Sequence, residues 1–266
     1  MNWERMTSPE FALGVEGCEG VCLLPMGVIE KHGDHLPLGQ DSIYIHEVCS
    51  QAAQRETAMV FPFFFFGQIH EARHVPGTIA LDGELLLRLL RNLCDEIARN
   101  GFDRIILVNG HGGNTHLIQY FLQLTLQEEL PYMVYASGIP RGGRRSGPLL
   151  EATNDGHAGE VETSAMLHLH PELVKLDAYA DYGQTLGRLQ ALKDAGLSTG
   201  IWWYADHPGR LQAEQVPFTA EKGRAIVEDH VDHLVRQIQV VKADSAGPEL
   251  LRDFYARNDA PSNRYP

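Results

Sequence analysis

Cysteine and positive charge are both scarce in this chain. Of its 266 residues only four are cysteine, namely Cys18, Cys22, Cys49 and Cys94, and no two of them form a C-x-x-C pair. That count excludes a disulfide scaffold. Cys18 and Cys22 read as small buried residues, and the usage fits a reducing, cytoplasmic setting. Lys and Arg total 22 against 35 Asp and Glu, a formal net charge of −13. So acidic a chain repels phosphate backbones unless a basic patch is segregated. The one basic cluster, Arg141, Arg144 and Arg145, lies in a Gly-rich stretch that reads as a solvated loop, so nucleic acid is excluded as a partner. No apolar stretch approaches the roughly 20 residues of a membrane helix. The opening MNWERMTSPE has no apolar segment of the kind a secretory signal requires. What remains is ordinary for a globular protein, with 44% hydrophobic and 21% charged residues. Thirteen histidines are the unusual count, and they direct attention to metal chemistry.

Apolar runs and helical spacings alternate. Val21 to Met26 reads as a buried strand, and a helix is expected from Asp41-Ser42 with Ile45, Val48 and Ala52 on its buried stripe. Ala58 to Phe66 reads as a second apolar run. Leu85 to Ala98 has helical spacing and stops at Asn100-Gly101. Arg104 to Val108 is the clearest buried strand, followed by a turn at Asn109-Gly110 and a helix from about Asn114 to Glu128. Tyr132 to Ala136 reads as a strand, Gly159 to Leu169 and Lys222 to Val241 as helices, and the last twenty or so residues as a loosely held polar tail. Alternating strands and helices imply an α/β fold with a mostly parallel sheet flanked by helices. With no repeat or linker, a single domain over 1–266 is expected, its core at about 20–241 and its tail at 242–266. Ligands of such sheets bind at the carboxyl ends of the strands.

Three polar clusters carry chemistry. The first is Glu30-Lys31-His32-Gly33-Asp34-His35, followed by Asp41. Glu30 and His32 are two apart, so an extended backbone points both the same way. Asp41 at a helix start reads either as a metal ligand or as a plain N-cap. The second is Asn109-Gly110-His111-Gly112-Gly113-Asn114, a histidine on a tight turn straight off a buried strand. It matches neither G-x-G-x-x-G nor a P-loop. The third is His157-Ala158-Gly159-Glu160-Val161-Glu162-Thr163-Ser164. On a helix Glu160 and Glu162 differ by about 200°, so they cannot both face one site. A fourth string, His70-Glu71-Ala72-Arg73-His74, matches the zinc-protease signature H-E-x-x-H. That motif needs a helix, and Pro76 disfavours a helical Val75.

The first three clusters together resemble the creatininase (creatinine amidohydrolase) family. Gly27 to Asp41 matches its G-x-x-E-x-H-G-x-H-L-P-L-x-x-D pattern, Asn109 to Asn114 its N-G-H-G-G-N element and His157 to Ser164 its H-A-G-E-x-E-T-S element. Pro76-Gly77-Thr78 and the Thr219-to-Gly223 helix entry also fit. The resemblance implies a three-layer creatininase-like fold and two divalent metal ions, Zn²⁺ or Mn²⁺ with Fe²⁺ also suited. Glu30, Asp41 and His111 would hold one ion and His32, Asp41 and Glu160 the other, with Asp41 bridging. His157 would serve the leaving group, and Glu162 would lie in an outer shell or proton relay. The implied reaction is hydrolysis of a C–N bond, of cyclic-amide or formamide type, in a small molecule by metal-activated water, in a cytoplasmic homohexamer. Creatininases carry N-G-H-x-E-N at the second motif, whereas this chain has Gly113, so Glu160 must supply the missing carboxylate and creatinine fits poorly as substrate. The family also includes a formamide deformylase and a mycofactocin peptide-processing enzyme. The competing expectations are a zincin-type protease using His70, Glu71 and His74, and a metal-binding protein without catalysis.

Overall fold

In the computed structural model, which describes residues 1–180 and 183–258, the apolar runs become four parallel strands. They are β1 (Val21–Met26), β2 (Met59–Val60), β3 (Arg104–Asn109) and β4 (Met133–Gly138), in the order β2-β1-β3-β4. β1 and β3 pair from Val21 with Arg104 to Met26 with Asn109, and β3 and β4 from Arg104 with Met133 to Asn109 with Gly138. The strands therefore end level. Side chains alternate between two cores, as a pleated strand requires. Val21, Leu23, Ile106 and Val108 enter one, and Cys22, Leu24, Ile105 and Leu107 the other.

Helices cover both faces, giving three layers. The first core is closed by α2 (Gln40–Arg55), α5 (Glu160–Leu169) and α8 (Ala220–Ala243). The second is closed by α1 (Ser8–Gly17), α3 (Gly83–Arg99) and α4 (Asn114–Leu124). Two short helices, α6 (Gln190–Asp194) and α7 (Trp202–Asp206), lie in the long excursion between α5 and α8. The side chain of Asp82 accepts from Leu85 N to start α3, and Thr219 accepts from Lys222 N to start α8. All four cysteines are free and buried. Among the described residues no helix is long and apolar enough to cross a membrane.

Three expectations are corrected. The run from Ala58 pairs as a ladder only over Met59–Val60. Pro62 has no N–H to continue it, and beyond it only an isolated bridge joins Met26 and Phe64. The helix expected to reach Glu128 ends at Leu124 and tightens into a 3₁₀ turn, Thr125–Gln127. The tail at 242–266 is not loose over its first part, because Ala246–Asn258 forms a helix, α9. Asp244 caps its start by accepting from Gly247 N, and Pro248 sits in the first turn, where its missing N–H costs nothing. Tyr255 fastens α9 by donating to the carbonyls of Thr125 and Glu128. Residues 259–266 lie outside the described part.

Candidate metal centre

The level ends of β1 and β3 deliver two of the three clusters to one place. After β1, Glu30 N donates to Leu38 O at 3.0 Å, closing the loop that returns the chain to α2. Asp41 is in the first turn of α2, where Gly39 is the N-cap and no side chain caps the helix, so Asp41 is not an N-cap. The turn after β3 lies directly on this helix start. A Cβ at Gly110 would stand 2.7 Å from Ile45 Cβ and 3.0 Å from Asp41 O, so only glycine permits the approach. The third cluster is brought in by Gln212, whose backbone pairs with that of His157 in both directions, at 3.0 and 2.9 Å.

Glu30, His32, Asp41, His111, His157 and Glu162 thereby converge. They form three overlapping groups of potential ligands: Glu30 with His32 and His157, Glu30 with Asp41 and His111, and His32 with Asp41 and Glu162. Within each group one ligand atom per residue lies within 4.8 Å of the others. Glu30 and His32 are wholly buried, and Asp41 and His111 nearly so.

The two central imidazoles are oriented alike. His111 Nε2–H donates to Gln68 O at 3.0 Å, which turns Nδ1 toward Glu30 Oε1 at 2.9 Å and Asp41 Oδ2 at 3.0 Å. His32 Nδ1–H donates to the carbonyl of Glu30 at 3.2 Å, which turns Nε2 toward Asp41 Oδ1 at 2.9 Å and Glu162 Oε2 at 3.8 Å. A carbonyl can only accept, so the proton of each neutral ring sits on the outer nitrogen and the lone pair faces two carboxylate oxygens. Glu30 Oε1 and Asp41 Oδ2 are buried and make no hydrogen bond. Such a donor set is complete only with a cation or a proton in its middle. Without a metal it holds protons. Burial opposes them, but the carboxylates prevail and raise His32 to about 9 and His111 well above its ordinary value. His157 differs. Its Nε2–H donates to Lys31 O at 2.9 Å, its ring lies on that of His32 with centroids 4.3 Å apart, and burial lowers it to about 3, so it is neutral.

Glu160 is the expected ligand that the fold does not bring to the cluster. Its carboxylate accepts from Lys222 Nζ at 2.6 Å and from the backbone N–H groups of Glu151 and Ala152 at 2.9–3.1 Å. Those donors saturate it on the far side of α5. Glu162 takes the inward position instead, accepting from Ala158 N at 2.6 Å. Burial first, and then Asp41, raise it to about 7. Nor can a carboxylate enter from position 113, where a Cβ would stand 2.5 Å from His111 Nε2 and 2.8 Å from Gln68 Oε1.

The H-E-x-x-H string forms only a 3₁₀ turn, His70–Ala72. Both of its histidines are exposed. His74 donates to Pro208 O at 2.9 Å, and Glu71 accepts from Gln68 Nε2 at 2.9 Å. The helical geometry that a zincin needs is absent, and that reading is overturned.

Two residues at the centre had no marker in the sequence. Gln68 contributes through its main-chain carbonyl, which any residue could supply. Arg210 is 1% exposed, is bonded to Glu30 Oε2 and lies over the Trp203 ring at 5.6 Å. Trp203 in turn stands edge-on to His157, centroids 6.0 Å apart, so the second tryptophan of the excursion walls the centre.

The family model for creatininase, described as creatinine amidohydrolase, matches residues 4–238. The chain is 29% identical over 199 residues to the creatinine amidohydrolase of Pseudomonas putida, covering 67% of this chain and 75% of that one. It is also 29% identical over 227 residues to the mycofactocin precursor peptide peptidase of Mycobacterium ulcerans, covering 81% and 83%. Among solved structures, a variant creatininase of Zn–Zn type superposes with a TM-score of 0.72 at 25% identity, covering 90% of this chain and 96% of that one. A manganese form of creatininase superposes with a TM-score of 0.71, also at 25% identity, over 90% and 97%.

Proposed function

The chain belongs to the creatininase family of hydrolases, and from that premise we propose that it is a dinuclear metal-dependent amidohydrolase cleaving a C–N bond, of cyclic-amide or formamide type, in a small molecule. The observation that carries this reading is the orientation of His32 and His111. Each is tied through one nitrogen to a backbone carbonyl and presents the other to two carboxylate oxygens. The ligand sets would be Glu30, Asp41 and His111 for one ion and His32, Asp41 and Glu162 for the other, with Asp41 common to both groups. Glu162 thus replaces Glu160. Imidazole and carboxylate donors suit Zn²⁺ or Mn²⁺, in keeping with the zinc and manganese forms of the similar structures.

Divalent ions held there would acidify water and polarise a substrate carbonyl. The protein's own part is orientation and proton handling. The carbonyls of Gln68 and Glu30 fix which imidazole nitrogen faces inward. Arg210 holds Glu30 and offsets part of the negative charge gathered beside it. His157 has its Nε2–H committed to Lys31 O, so the proton it accepts and passes to the leaving nitrogen is carried on Nδ1. A role for the site in binding metal without turnover is the second reading, and an intact His157 at 7% exposure weighs against it.

Elemental analysis of purified variants tests the assignment. The wild type should carry two divalent ions per chain, Asp41→Ala none, Glu162→Gln one or fewer, and Glu160→Gln two. Retention of both ions by Glu162→Gln together with loss in Glu160→Gln would restore the ligand set expected from the motif.

A further inference from the structure

The basic cluster on the loop after β4 takes no part in the metal centre, and its arginines are used differently. Arg145 is taken up by α8, pairing with Glu228, Asp229 and Asp232 at 3.4, 3.2 and 2.6 Å. The Asp229 carboxylate also fastens the loop, accepting from Arg145 N at 3.0 Å and from Ser146 N and Ser146 Oγ at 2.8 Å each. A Cβ at Gly143 would stand 2.6 Å from Asp229 Cγ, so the loop lies directly on α8. Arg141 is therefore carried on an anchored segment. It lines a cavity of about 270 Å³ that His111 and Glu162 also line, and it is the one Arg or Lys among the described residues there. Its guanidinium is only partly committed. Nη2 donates to Ala152 O, and Nε approaches Asp155 Oδ2 at 3.5 Å, a weak contact because that carboxylate already accepts from the N–H groups of Glu160 and Val161. Nη1 donates to no described residue, and the side chain is 44% exposed. Arginine keeps its proton at any working pH, so the positive charge stands. Asn109 lines the same cavity. Its Oδ1 accepts from His111 N at 3.1 Å, which leaves Nδ2 as the end that donates to no described residue.

We propose that Arg141 is a specificity-determining residue that selects a small amide carrying a carboxylate in addition to its scissile C–N bond. The proposal rests on the amidohydrolase reading above and names the substrate class of that site. His111 and Glu162 would be engaged by metal, which leaves Arg141 as the charge in the cavity for a ligand to answer. A chain of net charge −13 repels anions at long range, so an anionic substrate needs a local cation beside the reacting groups. Guanidinium suits carboxylate in shape as well as in charge. At about 270 Å³ the cavity sits at the small end of ligand sites, which holds the carboxylate within a few carbons of the amide.

Hydroxamates, which anchor on divalent metals, are suitable probes. The monohydroxamates of malonate, succinate and glutarate are titrated into the zinc-loaded protein by calorimetry at low salt, each against its neutral carboxamide of the same length. At one length or more the carboxylate should bind about five- to tenfold more tightly than the carboxamide, as one partly solvated charge-assisted hydrogen bond allows. Added salt should narrow the difference. The advantage should vanish in Arg141→Gln, persist in part in Arg141→Lys and reverse in Arg141→Glu, while acetohydroxamate binds all four proteins alike. Equal affinity of carboxylate and carboxamide at every length overturns the proposal. So does a carboxylate preference that survives Arg141→Gln, since it would then come from the metal ions. Loss of acetohydroxamate binding in both Arg141→Gln and Arg141→Lys also overturns it, by making Arg141 a structural support of the loop. Failure of every hydroxamate, acetohydroxamate included, to bind the zinc-loaded wild type overturns the metal-centre reading instead, and the selection of a carboxylate with it.

Discussion

His32 and His111 show how much a second hydrogen bond decides about a ligand. In the metal-free protein both are raised by the carboxylates that face them, and a ligating imidazole must give up that inward proton. Metal binding at pH 7 should therefore release about two protons per chain, read by calorimetry in buffers of different ionisation enthalpy. Zinc affinity should climb as pH rises toward 9. The same shift has the opposite sign for the metal-free fold. His32 contributes stability that is full below about pH 6.5 and is lost as pH rises through about 9. His157 is distinguished by its neutrality. His157→Ala should keep both metals yet slow turnover by roughly 10²–10⁴-fold, the range of general acid–base help. Loss of metal in that variant would make it a ligand.

At the scale of elements, α5 explains why two glutamates two residues apart have different tasks. Its N-terminus is held by Asp155, which accepts from the N–H groups of Glu160 and Val161 at 2.6 and 3.2 Å. That fixes the helix rotation, so Glu162 faces the centre and Glu160 faces Lys222. The rotation is also locked from behind by α8. At Gly223 an added Cβ would stand 1.8 Å from Ser164 O, so the two helices touch through backbone. Gly223→Ala should destabilise the protein by about 1–3 kcal/mol through overpacking, measured by denaturant titration. It should also lower metal affinity, because the displaced helix carries Glu162. An unchanged midpoint would mean that α8 shifts freely.

For the whole molecule, the excursion between α5 and α8 exposes Leu186, Leu197, Ile201 and Trp202 at 56%, 59%, 52% and 46%. So many large apolar side chains in one excursion fit an interface rather than a free surface. This predicts that light scattering at micromolar concentration gives a multiple of the chain mass, six for the homohexamer expected from the motif resemblance, and that Leu197→Asp lowers it. A monomer in the wild type would refute the expectation.

Sequence alone determined the parallel sheet, because buried strands advertise themselves as short apolar runs such as Arg104–Asn109. That Glu30, His32, Asp41 and His111 meet was implied by the resemblance of their motifs to a known family, whereas local pattern alone left Asp41 open as a plain N-cap and His111 as a histidine on a tight turn. The sequence did not determine the ligand from α5, since helical periodicity says that Glu160 and Glu162 diverge but not which one turns inward. Asp155, Lys222 and the backbone at 151–152 decide that, and they reach α5 from outside the helix. Gln68 and Arg210 were invisible for a related reason, one acting through a main-chain carbonyl and the other from far along the chain. Composition also misread the segment before residue 259, where Asp244 and Pro248 look like a polar tail until Tyr255 is seen docked on the carbonyls of Thr125 and Glu128. Local backbone preference is written in neighbouring residues. The rotation of a helix and the partner of a buried charge belong to contacts between distant ones, and these exist only once the chain has folded.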